Sequence, residues 1–370
     1  MNILISNQPW FTPVGASKDA KPKMGLRAGC RWPYIRPIHR NYFPFPFNLA
    51  YADAYLKQKG MQSVFRDSIL HLDEYTYFFN LAREFDYVVM ETAMASKDND
   101  YYIAKEVSKY SKVILVGPLA TSNAELIDQP EVYAVLRGEY ERSLYACLTS
   151  GKGGVYEFDE WENIDNAPFP TRDESIYDYK MARHKLALNM WGSRGCPFSC
   201  TFCYSQKFQK NKRYRGHSPE RIQAEVQDAV KRFPKLRYIY FDDDTFNIGN
   251  ARIKGIARVM KEIGLPWGAM CRIDTCDVST WQAMKDGGCV EVKVGFESGS
   301  QRILDEVINK SLDLEKAKET LRAIRSMGIR VHGTFMRGFE GETPEERSMT
   351  AQLISELPCN SHQLSDLRKQ

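Results

Sequence analysis

Two successive series of short β-rich segments, each alternating with helical segments, restrict this chain of 370 residues to the α/β class. In the first series, stretches of helical periodicity are expected at residues 48–60, 73–85 and 98–110. The first 150 residues are therefore predicted to form a doubly wound, Rossmann-like domain, with a ligand off the carboxyl ends of its strands. Its strands are expected at residues 2–6, 63–67, 87–91, 113–117 and 133–137.

The second series follows residues 151–184, which are rich in Gly, Asp, Glu and Pro and lack a sustained period. We interpret this segment as an interdomain linker. Residues 185–370 are then predicted to form a partial (β/α) barrel that ends after its fifth βα unit. Its strands are expected at residues 186–191, 236–241, 267–272, 290–296 and 329–336, and its helices are expected to begin near residues 218, 250, 279, 312 and 344.

Composition and charge exclude several classes of partner. The formal net charge of +4 is small for this length and gives no electrostatic argument for nucleic acid or an anionic membrane. No segment approaches the roughly 18 uncharged apolar residues that a transmembrane helix requires. Because the N-terminus also lacks the features of a secretory signal, we expect a cytoplasmic protein.

Residues 10–46 interrupt the first series with a segment rich in Pro and aromatic residues. It lacks a sustained period and is long for a simple turn. Segments of this length are typical of lids and binding loops, or of disorder.

Three of the nine cysteines crowd into one short segment after the first strand of the second series. Cys196, Cys200 and Cys203 are separated by three and then two residues, so one loop can bring three thiolates to three corners of a cubane cluster. The fourth iron then remains open, which is typical of a metal that performs chemistry. The alternative is structural zinc completed by His217 or a distant cysteine. The scattered cysteines are interpreted as small apolar residues: Cys30, Cys147, Cys271, Cys276, Cys289 and Cys359.

The segment GCPFSCTFCY at residues 195–204 resembles the signature of the radical S-adenosylmethionine (SAM) enzymes, whose partial barrel carries such a loop after its first strand. The resemblance implies that Cys196, Cys200 and Cys203 bind a 4Fe-4S cluster whose open iron chelates SAM. One electron from an external reductant of the flavodoxin or ferredoxin type would cleave SAM to a 5′-deoxyadenosyl radical. Phe202 would lie against the adenine.

An acidic turn after the second strand of this series also matches the family. Asp242, Asp243 and Asp244, in the segment FDDDTF, resemble the turn that receives the amino group of SAM. A carboxylate next to an ammonium group is a favourable pairing. Runs of Asp also form ordinary turns and caps, which is the alternative.

Later strand ends supply the remaining candidates. Glu297, in the segment GFESG, resembles the family residue near the ribose or the methionine carboxylate of SAM, with helix capping as the alternative. Arg272 is a second candidate for the same ligand. The segment FEGET at residues 339–343 resembles the family turn near adenine, with Glu340 in place of the usual proline.

The N-terminal half resembles the cobalamin (vitamin B12)-binding domain of one subclass of these enzymes. None of the six histidines has an Asp two residues before it, so the DxHxxG motif that supplies the lower axial ligand in cobalamin mutases is absent. Many enzymes of the subclass also lack it. The alternatives are cobalamin binding and a domain retained for structure or substrate binding. The matching segments are residues 46–52, 116–121, 136–141 and 167–170.

The resemblance implies an enzyme, with cobalamin-dependent methyl transfer to an unactivated carbon as the leading reaction. Cyclisation, rearrangement and methylthiotransfer are alternatives, although methylthiotransferases carry a second three-cysteine cluster and this N-terminal half has only Cys30 and Cys147. An iron–sulfur electron carrier, a zinc-stabilised binding protein or an incomplete, inactive fragment are alternatives of another class. The substrate is not encoded in a portable motif, because loops select it.

The C-terminal residues bear on whether the barrel has a sixth strand. Residues 361–370 are expected to be too short for a sixth barrel strand, and residues 360–365 are at most its opening. A second chain would then complete the barrel, or the product is truncated.

Overall fold

The computed structural model describes residues 1–12, 23–28, 32–37, 43–179, 184, 186–203, 205–208 and 213–367. The chain divides into two compact units. The first comprises Met1–Leu186 and Tyr204–Asn211, and the second comprises Ala187–Cys203 and Lys212–Gln370. Within the described ranges, no helix is long and apolar enough to cross a membrane.

The first unit is built on a six-stranded parallel sheet in the order β5-β1-β6-β7-β8-β9, which confirms the predicted α/β class. Strand order reverses between β1 and β6, as in doubly wound folds, where ligands bind off the carboxyl ends at that point. The strands of this unit are β1 (Ile3–Asn7), β2 (Phe11–Thr12), β3 (Lys23–Ala28), β4 (Trp32–Pro37), β5 (Ser63–Asp67), β6 (Tyr87–Glu91), β7 (Lys112–Val116), β8 (Val132–Leu136) and β9 (Gly154–Tyr156). Its helices are α1 (Phe47–Gln58), α2 (Tyr75–Ala82), α3 (Lys97–Val107), α4 (Gly117–Ser122), α5 (Glu141–Ser150) and the short α6 (Ser205–Phe208).

Side-chain alternation along the strands divides the core of this unit between the two faces of the sheet. Ile3 and Ile5 pack with residues of α1 and α5. Leu4, between them in sequence, packs with residues of α2 and α3. Because both faces are covered, the strands are almost continuously apolar, which is why they could be predicted.

Two segments differ from the sequence-based expectation. Strand β9 lies within the segment expected to be a linker and pairs in parallel with β8 at the sheet edge. Residues 10–46, expected to be irregular, contain β2, β3 and β4, which form a separate antiparallel sheet. Strands of two to six residues are too short to show a clear alternation of apolar and polar residues, so the sequence carries little signal for them.

The second unit contains a six-stranded parallel sheet in simple chain order, β10-β13-β14-β15-β16-β17, as an open barrel requires. Its strands are β10 (Ala187–Met190), β11 (Ser193–Arg194), β12 (Arg215–Gly216), β13 (Tyr238–Phe241), β14 (Trp267–Cys271), β15 (Cys289–Glu297), β16 (Arg330–Arg337) and β17 (Ser361–Asp366). The helices that connect them are α7 (Pro219–Arg232), α8 (Asn250–Ile263), α9 (Val278–Asp286), α10 (Leu314–Ser326) and α11 (Pro344–Glu356).

Local signals set where two of these helices begin. The Ser218 side chain accepts a hydrogen bond from the Arg221 amide at the start of α7. Thr343 and Glu346 form a complete capping box at the start of α11. Each helix also has proline in its first turn, where a missing N–H costs nothing.

The prediction that the chain is too short for a sixth barrel strand was wrong. Strand β17 pairs in parallel with β16 over all six of its residues, from Ser361 opposite His332 to Asp366 opposite Arg337. The sixth strand, expected from a second chain, is supplied by this chain. Its side chains are mostly exposed, so its sequence, SHQLSD, carries no apolar alternation and its register depends on the neighbouring strand.

Candidate active site

The cysteine loop begins at the carboxyl end of β10 and is held there by a carboxylate from the next strand. Asp243, which follows β13, is fully buried. Its Oδ2 accepts a hydrogen bond of 3.0 Å from the Gly192 amide, and its Oδ1 accepts one from the Ser193 hydroxyl. The middle residue of the acidic turn therefore positions the loop.

Replacing Asp243 with asparagine should destabilise the second unit. Asparagine has a single accepting oxygen. If its NH₂ group faces the Gly192 amide, that hydrogen bond is lost, and if it faces Ser193, the hydroxyl must accept instead of donate. In either orientation the charge-assisted hydrogen bonds of the carboxylate are lost. We expect a loss of about 1–3 kcal/mol in urea-induced unfolding. Asp228→Asn is the control, because Asp228 forms an exposed ion pair with Arg232, and it should change stability little. Equal stability of D243N and the control would contradict this assignment.

The three cysteines differ in exposure and in their neighbours. Cys200 is buried, whereas Cys196 and Cys203 are half-buried. The Cys196 sulfur lies 3.4 Å from the Thr245 hydroxyl. Burial raises the pKa of the Cys196 thiol, and the hydrogen bond from Thr245 opposes that rise.

No three His, Cys, Asp or Glu side chains of the described residues converge as the ligands of a single metal ion would. Cubane ligands bind separate iron atoms, so three cluster thiolates need not converge on one point. The loop brings three thiol groups to one strand end, and the guanidinium of Arg272 lies next to one of them, Cys200. This donor set fits a 4Fe-4S cluster. Thiolate sulfur is the ligand that such clusters take.

The far side of the loop is attached to the connection between β15 and α10. The Thr201 amide donates to the Ile308 carbonyl at 2.9 Å, and its hydroxyl donates to the Val307 carbonyl at 3.0 Å. The Asn309 side chain donates to the Ser199 carbonyl at 3.4 Å. Residues more than 100 positions apart in sequence thus fix the loop around Cys200.

Arg272, predicted as a candidate SAM ligand, lies beside this loop. Its guanidinium carbon lies 3.7 Å from the centre of the Phe198 ring, and its Nη1 lies 3.9 Å from the Cys200 sulfur. The same group forms a bidentate pair with Asp274, at 2.9 and 2.6 Å, and donates to the Lys310 carbonyl at 2.9 Å. Burial is the largest single influence on the pKa of Arg272 and acts to lower it. The hydrogen bond to Asp274 and the charges of Asp274, Cys200 and Cys196 together outweigh burial and raise that pKa.

Glu297, at the end of β15, forms a buried ion pair that the sequence did not suggest. Lys310 donates to its Oε1 at 3.0 Å, and the two side chains are 6% and 9% exposed. Glu297 has a φ of +68°, which is unusual for a residue other than glycine. A Cβ atom at Gly295 would overlap the Glu297 carboxylate, so a side chain there would displace this pair.

The aromatic candidate and the remaining acidic candidates lie at neighbouring strand ends. The Phe202 ring lies 6.2 Å, centre to centre, from that of Phe339, which belongs to the segment expected near adenine. Asp242 is buried, and its amide donates to the Met190 carbonyl at 2.9 Å. Asp244 is half-buried, and its charge contributes to the raised pKa of Cys196. Their roles as cofactor ligands stay predictions.

In the first unit, hydrogen bonds tie together the carboxyl ends of β6, β7 and β8. The Thr92 hydroxyl donates to the Val116 carbonyl at 2.7 Å, and the Thr121 hydroxyl accepts from the Gly138 amide at 3.0 Å. Gly117 and Gly138 both have positive φ, and at Gly117 a Cβ atom would lie 2.9 Å from the Thr92 carbonyl oxygen. This edge presents backbone at two strand ends, which fits the close approach of a large ligand.

Sequence reasoning missed Lys310, Asp274 and Thr245. The Arg-x-Asp spacing after β14 was an available signal for Asp274, whereas nothing local marks Lys310. The scattered cysteines agree with their interpretation: Cys147, Cys271 and Cys289 are buried, and Cys276 and Cys359 are half-buried, while Cys30 lies outside the described residues.

Residues 192–354 match the protein family described as the Radical SAM superfamily. An uncharacterized methyltransferase of Pyrococcus horikoshii is 31% identical over 349 residues, which cover 86% of this chain and 75% of that protein. The cytidylyl-2-hydroxyethylphosphonate methyltransferase of Streptomyces wedmorensis is 31% identical over 224 residues, or 54% of this chain and 40% of that protein.

The structure of the radical SAM methyltransferase TsrM of Kitasatospora setae, with cobalamin and a 4Fe-4S cluster bound, superposes with a TM-score of 0.75. The alignment covers 100% of this chain and 75% of TsrM at 15% identity, so the likeness is one of fold. Both units of the chain are thus included in the similarity.

Proposed function

The chain belongs to the radical SAM superfamily, as the cysteine loop predicts, and we propose that it is a cobalamin-dependent radical SAM methyltransferase. One observation carries the proposal: Cys196, Cys200 and Cys203 lie in a single loop at the carboxyl end of the first strand of a six-stranded parallel sheet. Active sites of barrel folds lie at this edge of the sheet.

When bound, a 4Fe-4S cluster supplies the electron that cleaves SAM, and cobalamin supplies a carrier for the methyl group. The chain's own residues bind and orient these groups. The three cysteines hold the cluster, and Asp243 keeps the loop against β13. Phe202 and Phe339 offer two adjacent aromatic faces to the adenine.

The amino group of SAM is assigned to the acidic turn. Asp242 and Asp244 are assigned to it, whereas Asp243 is assigned to holding the loop, because both of its carboxylate oxygens accept hydrogen bonds from the loop. Glu297 is assigned to the ribose or the methionine moiety, in its pair with Lys310. A carboxylate held by a buried lysine is oriented, so its second oxygen can accept a hydrogen bond in a defined direction.

Cobalamin is assigned to the carboxyl edge of the first sheet, near the reversal in strand order between β1 and β6. The fold likeness to TsrM, whose structure holds cobalamin, supports this assignment. Methyl transfer is supported by the names of both curated relatives. We further propose a flavodoxin- or ferredoxin-type protein as the electron donor and a cytoplasmic location.

The test is anaerobic reconstitution with iron and sulfide, with and without hydroxocobalamin. We expect the dithionite-reduced protein to show a cluster signal in electron paramagnetic resonance that changes when SAM is added, because SAM occupies the open iron. It should also release 5′-deoxyadenosine, measured by chromatography, and hydroxocobalamin should stay with the protein after gel filtration. A reduced cluster indifferent to SAM, with no cleavage of SAM, would point to an electron carrier and contradict the proposal.

A further inference from the structure

The Arg272 side chain contacts both the ring of Phe198 and the sulfur of Cys200 in the cysteine loop. Its side chain is 7% exposed. It reaches the loop from β14, two strands away from β10, where the loop begins. A charged group this well shielded from solvent acts on its neighbours with little screening.

The arginine is fixed at both ends. The Asn247 side chain forms two hydrogen bonds with the backbone of Arg272. It accepts from the Arg272 amide at 3.0 Å and donates to the Arg272 carbonyl at 2.7 Å. Asp274 holds two nitrogens of the guanidinium, and the Lys310 carbonyl accepts from one of them. The remaining Nη1 is directed at the Cys200 sulfur. Because the guanidinium is planar and its other nitrogens are bound, the direction of the Nη1 donor is fixed.

We infer that Arg272 is a positioning residue that donates a hydrogen bond to the Cys200 thiolate of the bound cluster and raises the cluster's reduction potential. This inference rests on the proposed function, because it requires the cluster. Reduction adds one electron to the cluster and increases the negative charge on its thiolates. A donor and a positive charge at one sulfur therefore stabilise the reduced state more than the oxidised state.

The neighbouring Asp274 does not cancel this effect. Its side chain is 30% exposed, against 7% for Arg272, so solvent screens its charge more strongly. The carboxylate also binds Nε and Nη2, on the part of the guanidinium that does not bind the sulfur. The pair thus presents its positive end to Cys200.

The experiment compares Arg272→Gln and Arg272→Lys with the wild-type protein in a redox titration followed by electron paramagnetic resonance, without SAM. For R272Q we expect the equilibrium constant for cluster reduction to fall about tenfold, which is about 59 mV for a one-electron couple. R272K keeps the charge but loses the fork, so its fall should be smaller. Arg302→Gln is the control, since Arg302 pairs with Glu346 instead, and its midpoint potential should match wild type.

Iron and sulfide contents accompany each titration. Wild-type protein that binds no cluster would refute the proposed function itself, whereas equal midpoint potentials in cluster-loaded wild type and R272Q would refute only this inference. If R272Q does not retain its cluster, R272K decides the question. Weaker SAM binding with an unchanged potential would identify Arg272 as a SAM ligand and overturn the inference.

Discussion

Replacing Cys200 with alanine is expected to remove the cluster and abolish cleavage of SAM. Cys200 is the most buried of the three cysteines and contacts Arg272, so no solvent-borne ligand can easily take its place. A cluster bound by two thiolates is less stable than one bound by three. Cleavage of SAM requires the cluster. Iron, acid-labile sulfide and 5′-deoxyadenosine should all fall to background. Cys196→Ala and Cys203→Ala should have the same result.

Cys359→Ala is the matched control, because Cys359 is half-buried in the same unit but is not part of the loop. It should reconstitute and cleave SAM as wild type does. Full iron and sulfide in C200A would contradict the assignment of the ligands. If the loop instead binds zinc, metal analysis of wild type would give zinc without sulfide.

Replacing Lys310 with methionine is expected to destabilise the second unit by about 3–5 kcal/mol, because it leaves the Glu297 carboxylate buried without its cation. The Glu297 side chain is only 9% exposed, so its carboxylate is shielded from solvent when the lysine is lost. Urea-induced unfolding followed by circular dichroism should show the loss as a lower transition midpoint.

The double variant Lys310→Met with Glu297→Gln should recover part of this loss, because a neutral amide costs less to bury than a carboxylate. Lys316→Met is the control. Lys316 is 81% exposed, and its pair with Asp313 is screened by solvent. K316M should therefore leave the transition midpoint nearly unchanged. Equal midpoints for K310M and K316M would show that the buried pair does not stabilise the fold.

The three aspartates of the acidic turn show how far local reasoning extends. Their position after β13 was predicted, because an apolar strand ends visibly in sequence. Their separate tasks were not predicted, because the hydrogen bonds that Asp243 accepts come from the Gly192 amide and the Ser193 hydroxyl, about 50 residues earlier. The spacing in the sequence identifies a group of carboxylates, whereas the hydrogen bonds in the structure show what an individual carboxylate does.

Local sequence patterns were enough to predict the α/β class, the positions of most strands and helices, and the cysteine loop with its resemblance to the radical SAM enzymes. These are local properties: apolar runs, helical periodicity, caps at Ser218 and Thr343, and the spacing of three thiols. Packing between distant segments establishes the sixth barrel strand, the contact of Arg272 with Cys200 and the pair of Lys310 with Glu297. Strand β17 is exposed and polar, and the other two depend on which strand ends lie side by side. Such contacts join residues distant in sequence, and no local pattern records them.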